Sequence, residues 1–226
     1  MRVSEATYIG ARLSEIPVDQ LSPVLNLGSS NEQFRKNTHP HVDREIFFPL
    51  EARGGRVVHA DLKEDRGIDI VGDVYDPAVQ EACRGLHARS VMCCNILEHV
   101  ADARSFARIV SGLVGPEGYL VVSVPHSYPF HADPIDTLFR PSPEEVVALF
   151  GPGFTPVVTH TLVDVTWWHD LVTAVGVRRL PLFFFRDLAK AAREAVSRQG
   201  LWRLHRYGWL MRPYKVSIVI LRRSCP

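Results

Sequence analysis

Several things are scarce or missing in this 226-residue chain, and each absence narrows what it can be. Its four cysteines, Cys83, Cys93, Cys94 and Cys225, include no CxxC pair, which speaks against a zinc site or a disulfide framework and for reduced, buried thiols. No uncharged apolar run approaches about 18 residues, so no spanning helix is expected. The first fifteen residues carry charges throughout and have no apolar centre, so no signal peptide is expected and a cytoplasmic location is. The net charge of +1 leaves no electrostatic footprint for nucleic acid. There is no Gly-x-Ser-x-Gly elbow and no phosphate-binding GK[ST] loop, which sets hydrolase and NTPase chemistry aside. Gly28 has no second glycine within six residues, so the dinucleotide fingerprint of an NAD-type oxidoreductase is missing as well. Neither a repeat period nor a low-complexity segment occurs.

The remaining composition, 46% hydrophobic and 23% charged, is that of a soluble globular protein of one domain, 1–226. Short apolar runs at 24–27, 56–60, 68–71, 90–96, 119–124, 157–165 and 216–221 read as seven strands, with Pro125 stopping the fifth. Between them, residues 77–86, 103–114 and 143–150 have helical spacing, and 3–20 holds a short amphipathic helix broken at Pro17. Residues 39–48 read as irregular or extended. Strands alternating with helices predict a Rossmann-like, mostly parallel seven-stranded sheet with helices on both faces.

A helical insert or cap, 166–215, is expected before the last strand. From His169 to Lys215 ten Lys or Arg face three acids, so this segment carries +7. It also holds Phe183, Phe184, Phe185, Trp202, Tyr207 and Trp209. Such a basic, aromatic segment suits a solvated cap, a peripheral membrane contact through 178–215, or a grip on an anionic or lipid-linked substrate.

Parallel sheets bind ligands beyond the carboxyl ends of their strands. Gly28, Ser29 and Ser30 follow the first strand, and Asp61 the second, where a carboxylate can accept from a ribose diol. Asp73 follows the third strand, within reach of an adenine amino group, and Asn95 ends the fourth. Each type is also a common turn former, but one after each of four successive strands makes a pattern.

The stretch Val91-Met-Cys-Cys-Asn-Ile-Leu-Glu-His-Val100, with Ala101-Asp102 and Gly118-Tyr-Leu-Val-Val-Ser-Val-Pro125, resembles class I S-adenosylmethionine-dependent methyltransferases. More narrowly it is similar to their small type 11 group, over residues 24–150. The resemblance implies S-adenosyl-L-methionine as cofactor, with residues 26–30, among them Asn26, Gly28, Ser29 and Ser30, around its methionine end. It places Asp61 on the ribose, Leu62 on the adenine face, Asp73 and Val74 at the adenine edge, and Asn95 beside the sulfonium. The chain departs from the family at the first loop. Asn26 stands where an acid is usual, and Ser29-Ser30 where glycines are, with Glu32 a substitute source of charge.

Methyl transfer to oxygen needs a group that removes a proton. The segment after the fifth strand supplies His131 as the first candidate, His126 as the second, and Asp133 as an orienting partner. These three could also hold a divalent metal, though their spacing demands none and no metal is expected. Glu98-His99 reads as structural or substrate-facing. The expected function is methyl transfer to a small-molecule acceptor, at an oxygen of a sugar or secondary metabolite. The alternative is a catalytically silent binding or scaffold protein on the same fold.

Overall fold

Seven strands lie in one sheet: β1 (Val24–Leu27), β2 (Val57–Asp61), β3 (Ile70–Val71), β4 (Ser90–Cys94), β5 (Tyr119–Ser127), β6 (Phe154–Thr166) and β7 (Pro213–Arg223). Their spatial order is β3-β2-β1-β4-β5-β7-β6. The computed structural model describes residues 1–131, 135–193 and 207–224. The sheet is mixed and not, as expected, mostly parallel. β1 to β5 pair in parallel, whereas β7 runs against both β5 and β6 in the two longest ladders.

Alternation along the strands divides the core. Leu25, Leu27, Val58, Ala60, Val91, Cys93, Leu120 and Val122 face one side. There they meet helices α2 (Pro77–Gly85), α3 (Ala103–Ser111) and α4 (Pro143–Phe150) through residues such as Cys83, Phe106, Val110, Val146 and Phe150. Val24, Met92, Val121, Ile218 and Ile220 face the other side, against Ile9 and Leu13 of the N-terminal helix α1 (Val3–Ser14) and Ile46, Phe47 and Leu50. Each such side chain contributes about 1.5–3 kcal/mol on burial. The two faces together fix which strand ends are open to ligand.

Two expectations are corrected here. Residues 40–48 are helical, not irregular or extended, in successive turns Pro40–Val42, Asp43–Phe47 and Phe48–Ala52. Pro40 and Pro49 sit in first turns, where a missing N–H costs nothing, and Val42, Ile46 and Leu50 repeat at helical spacing into the core. Nor does Pro125 stop β5. The β4 ladder ends at Ser123, so beyond it only β7 flanks the strand and no N–H is needed on the open side.

Within the insert, Trp167–Val175, Val177–Arg179 and Leu180–Arg193 are helical. Trp167, Leu171, Leu180, Trp209 and Tyr214 form a third cluster of their own. Trp202 and residues 194–206 lie outside the described residues, as does Asp133. Among the described residues no helix is long and apolar enough to cross a membrane.

Candidate functional site

Two cavities adjoin at the carboxyl ends of β1 to β5. The first, about 270 Å³, is walled by Leu27, Gly28, Ala60, Asp61, Leu62, Gly72, Asp73, Val74, Tyr75, Ile96 and Phe106. The second, about 410 Å³, is lined by Met1, Arg2, Glu5, Phe34, His39, Asn95, Glu98, His99, Pro125, Tyr128, His131 and Val216. His99 belongs to both. A larger hollow, about 1030 Å³, lies along α3 and α4, away from the ends of β1 to β3.

The first cavity rests on three local devices. Gly28 has φ +60°, and a Cβ on it would come 2.8 Å from Ile96 Cδ1, so only glycine lets the chain turn here against the cavity wall. Ser30, also at positive φ (55°), directs its N–H to Asp61 Oδ2 at 2.7 Å, and Lys63 N–H reaches Oδ1 at 3.3 Å. A carboxylate has about four lone-pair positions, so one on each Asp61 oxygen is still open. Asp73 is exposed and folds its own turn by accepting from Tyr75 N–H at 2.9 Å. Leu62 is 63% exposed, an apolar side chain at the rim with an open face.

Of the expected cofactor residues, Gly28, Asp61, Leu62, Asp73 and Val74 are brought together around this cavity. Asn26, Ser29 and Ser30 line neither cavity. The Asn26 amide lies 3.2 Å from His59 Nδ1 on β2. Burial and the nearby Arg35 cation hold His59 down to about 4, so the ring is neutral and can accept from the amide. Ser29 is buried, its hydroxyl donating to its neighbour's carbonyl. Glu32 is committed to Lys36 (3.2 Å) and Arg66 (2.7 Å). The first loop is instead stapled by Arg35, a residue with no signal in the sequence. Its buried guanidinium donates to the carbonyls of Ser29, Ser30 and Gly67.

The second cavity holds Asn95, which has φ 54° and donates to Glu5 Oε1 at 2.8 Å. It also holds His131, whose ring meets His99 (5.3 Å between centroids) and Tyr128 (5.6 Å) edge-on. Among the described residues, Asp136 is the carboxylate beside it. Asp136 Oδ2 accepts from His131 N–H at 3.1 Å and lies 3.3 Å from its Nδ1. Burial works against the Asp136 carboxylate, but Arg140 (2.6 Å) and two backbone N–H groups outweigh it and hold its pKa below the ordinary value. Burial lowers the His131 pKa against the pull of Asp136, favouring neutral imidazole. His126 points elsewhere, its Nδ1 3.1 Å from Pro141 O, and lines neither cavity.

Glu98 was the least anticipated member. It is 1% exposed, with Oε1 3.7 Å from His99 Nε2 and Oε2 lacking any hydrogen-bond partner. Burial pushes its carboxyl up to about 7. Glu98, His99 and His131 place one ligating atom each within 4.8 Å of the others.

No protein-family profile matches this chain, and no curated protein sequence does. Likeness is found in shape. A putative sarcosine dimethylglycine methyltransferase from Galdieria sulphuraria superposes with a TM-score of 0.54 at 11% identity, over 97% of this chain and 84% of that one. The MccD protein gives 0.51 at 14% identity, over 97% and 96%. Coclaurine N-methyltransferase, solved with N-methylheliamine and SAH, gives 0.50 at 14% identity, over 96% and 72%. With the strand order and the antiparallel β7, these matches define the fold as that of class I S-adenosylmethionine-dependent methyltransferases.

Proposed function

We propose that the chain is an S-adenosylmethionine-dependent methyltransferase acting on a hydroxyl of a small, polar acceptor. The observation that carries this reading is the Asp61 carboxylate. Two backbone N–H groups fix it, and each oxygen keeps an open lone pair at the mouth of a nucleoside-sized apolar cavity. That is what recognition of a ribose diol requires. Leu62 and Ile96 would flank the base, and Asp73 would accept from its exocyclic amine.

When bound, the sulfonium supplies a methyl group for in-line transfer to a nucleophile. The chain's part is to hold the acceptor oxygen on that line and to remove its proton. The polar lining of the second cavity supports a hydroxylated acceptor, such as a sugar, over an apolar one. Its shared wall at His99 supports the acceptor entering beside the cofactor. The proton would leave within the Glu98–His99–His131 cluster, where His131 is braced by Asp136. The insert offers a hollow of about 380 Å³ lined by Arg179, Arg186 and Lys190 with Leu182 and Phe183. This supports an anionic carrier for the acceptor.

Calorimetric titration with S-adenosylhomocysteine tests the reading, and absence of binding at millimolar concentration would sink it. A second reading, binding without turnover, is favoured by one observation. The β1 end presents Asn26 already engaged by His59, where a carboxylate would be needed to neutralise an ammonium. Cofactor bound with no methyl passed to any hydroxylated acceptor would select it.

A further inference from the structure

We propose that Glu98, His99 and His131 bind one divalent first-row transition-metal ion at the floor of the second cavity. Glu98 and His99 come from the turn Leu97–His99 after β4, and His131 from the segment after β5. Two imidazoles and one carboxylate suit Zn²⁺, Mn²⁺, Fe²⁺ or Co²⁺, and three protein ligands leave a position open for water or substrate.

Three independent features point to a ligand here. The first is Glu98 Oε2, which is buried without a donor, an arrangement native proteins seldom leave uncompensated. The second is the tautomer of His99. Its Nδ1 faces the Ile135 carbonyl, which only an N–H can satisfy, so Nε2 carries the lone pair and faces Glu98. The third is the support behind His131. Asp136 Oδ2 stands 3.3 Å from His131 Nδ1, which is buried without a hydrogen-bond partner, and Asp136 is itself clamped by Arg140. A carboxylate behind a histidine is the usual outer support of a metal ligand. Thr137 further fixes the turn, its N–H and hydroxyl both donating to the Glu98 carbonyl at 2.9 and 3.0 Å. Ligands about 2.1 Å from a tetrahedral ion stand roughly 3.4 Å apart, so closure from 4.8 Å asks for side-chain shifts of about 1 Å.

Binding of the ion needs no methyl transfer. What it adds rests on the methyltransferase reading: an ion at this point would hold the acceptor hydroxyl at its open position and make it more acidic. The test is titration of the chelator-stripped, full-length protein with Co²⁺, read by visible absorption, and with Zn²⁺ by calorimetry. One equivalent per chain is expected. Glu98→Gln and His131→Gln should each weaken binding more than tenfold, and Asp136→Asn by 10- to 100-fold. Far-ultraviolet circular dichroism and urea unfolding of the same samples check that each variant is folded, and S-adenosylhomocysteine titration of the wild type tests the methyltransferase reading separately. No saturable uptake of either ion overturns the proposal. So does uptake that Glu98→Gln and His131→Gln, both folded, leave unchanged. Metal uptake without S-adenosylhomocysteine binding would instead remove the methyltransferase reading and leave the ion site standing.

Discussion

Replacing Asp61 by Asn removes one charge while keeping the side chain's shape. In the native loop Asp61 Oδ2 receives Ser30 N–H at 2.7 Å, and Oδ1 receives Lys63 N–H at 3.3 Å. The shorter contact will keep the single carbonyl oxygen of Asn, so its amino group turns towards Lys63 N–H and that weaker bond is lost. On the ligand side, one ribose hydroxyl meets a donor where it met an acceptor, and the other meets a neutral oxygen. Hydrogen bonds to charged groups contribute about 1.5–3 kcal/mol, so a net loss of about 2–3 kcal/mol follows for the ligand. This corresponds to roughly 30- to 150-fold weaker binding of S-adenosylhomocysteine by calorimetry. Stability, measured by urea unfolding, should fall by only about 1 kcal/mol, since one exposed backbone bond is lost. A folded Asp61→Asn protein that binds within threefold of the wild type would refute the placement of the ribose.

Four further outcomes are expected. His59 is held down to about 4 when folded, so the unfolded chain binds the extra proton first as pH falls. Its contribution is intact above about pH 6.5 and lost towards pH 4, up to about 3 kcal/mol, and urea unfolding of His59→Gln should show a flatter profile over that window. Gly28→Ala forces a side chain into positive φ and against Ile96, so it should cost about 1–2 kcal/mol in urea and weaken S-adenosylhomocysteine binding. His131→Ala should lower methyl transfer by at least about 100-fold with S-adenosylhomocysteine affinity unchanged, and equal turnover would reassign the role. Flotation with phosphatidylserine vesicles tests the insert, where Phe185 and Leu182 are 73% and 59% exposed beside Arg179 and Arg186. Association that disappears in neutral vesicles is expected, and indifference to anionic lipid removes a membrane role.

The convergence of residues around the first cavity was legible in the sequence because it is local. Once β1, β2 and β3 are recognised as parallel strands, whatever follows each of them must sit at the same sheet edge. Gly28, Asp61 and Asp73 therefore converge with no knowledge of side-chain packing. Side-chain direction was not legible. Asn26 lies two residues before Gly28, yet strand alternation turns it to the opposite face from Leu25 and Leu27, where His59 meets it. The second cavity depends on distant pairs. Asn95 is joined to Glu5 across 90 residues, and Arg2 reaches Asp164 and Asp170 at the foot of the insert. His131 is braced by Asp136, a pairing that a segment rich in proline, histidine and aspartate does not announce. Helical turns over 40–48 were missed for a related reason: histidines and prolines masked a core-facing spacing carried by Val42, Ile46 and Leu50.

This division has a consequence for how the two halves can vary. The first cavity is built from strand ends whose register the parallel ladders hold, and the Arg35 guanidinium fills the carbonyl side of its loop. Changes there disturb the sheet edge itself. The second cavity is walled by segments held through side chains: the N-terminus by Arg2 on Asp170 and Glu5 on Asn95, and the segment after β5 by Asp136 on His131 and Thr137 on Glu98. The Glu98–His99 turn is different, because among the described residues His99 is the one that lines both cavities, and the turn supplies two members of the Glu98–His99–His131 cluster. Substitution at His99 should accordingly be felt by cofactor and acceptor together, whereas substitution at Tyr128 should be felt by the acceptor alone.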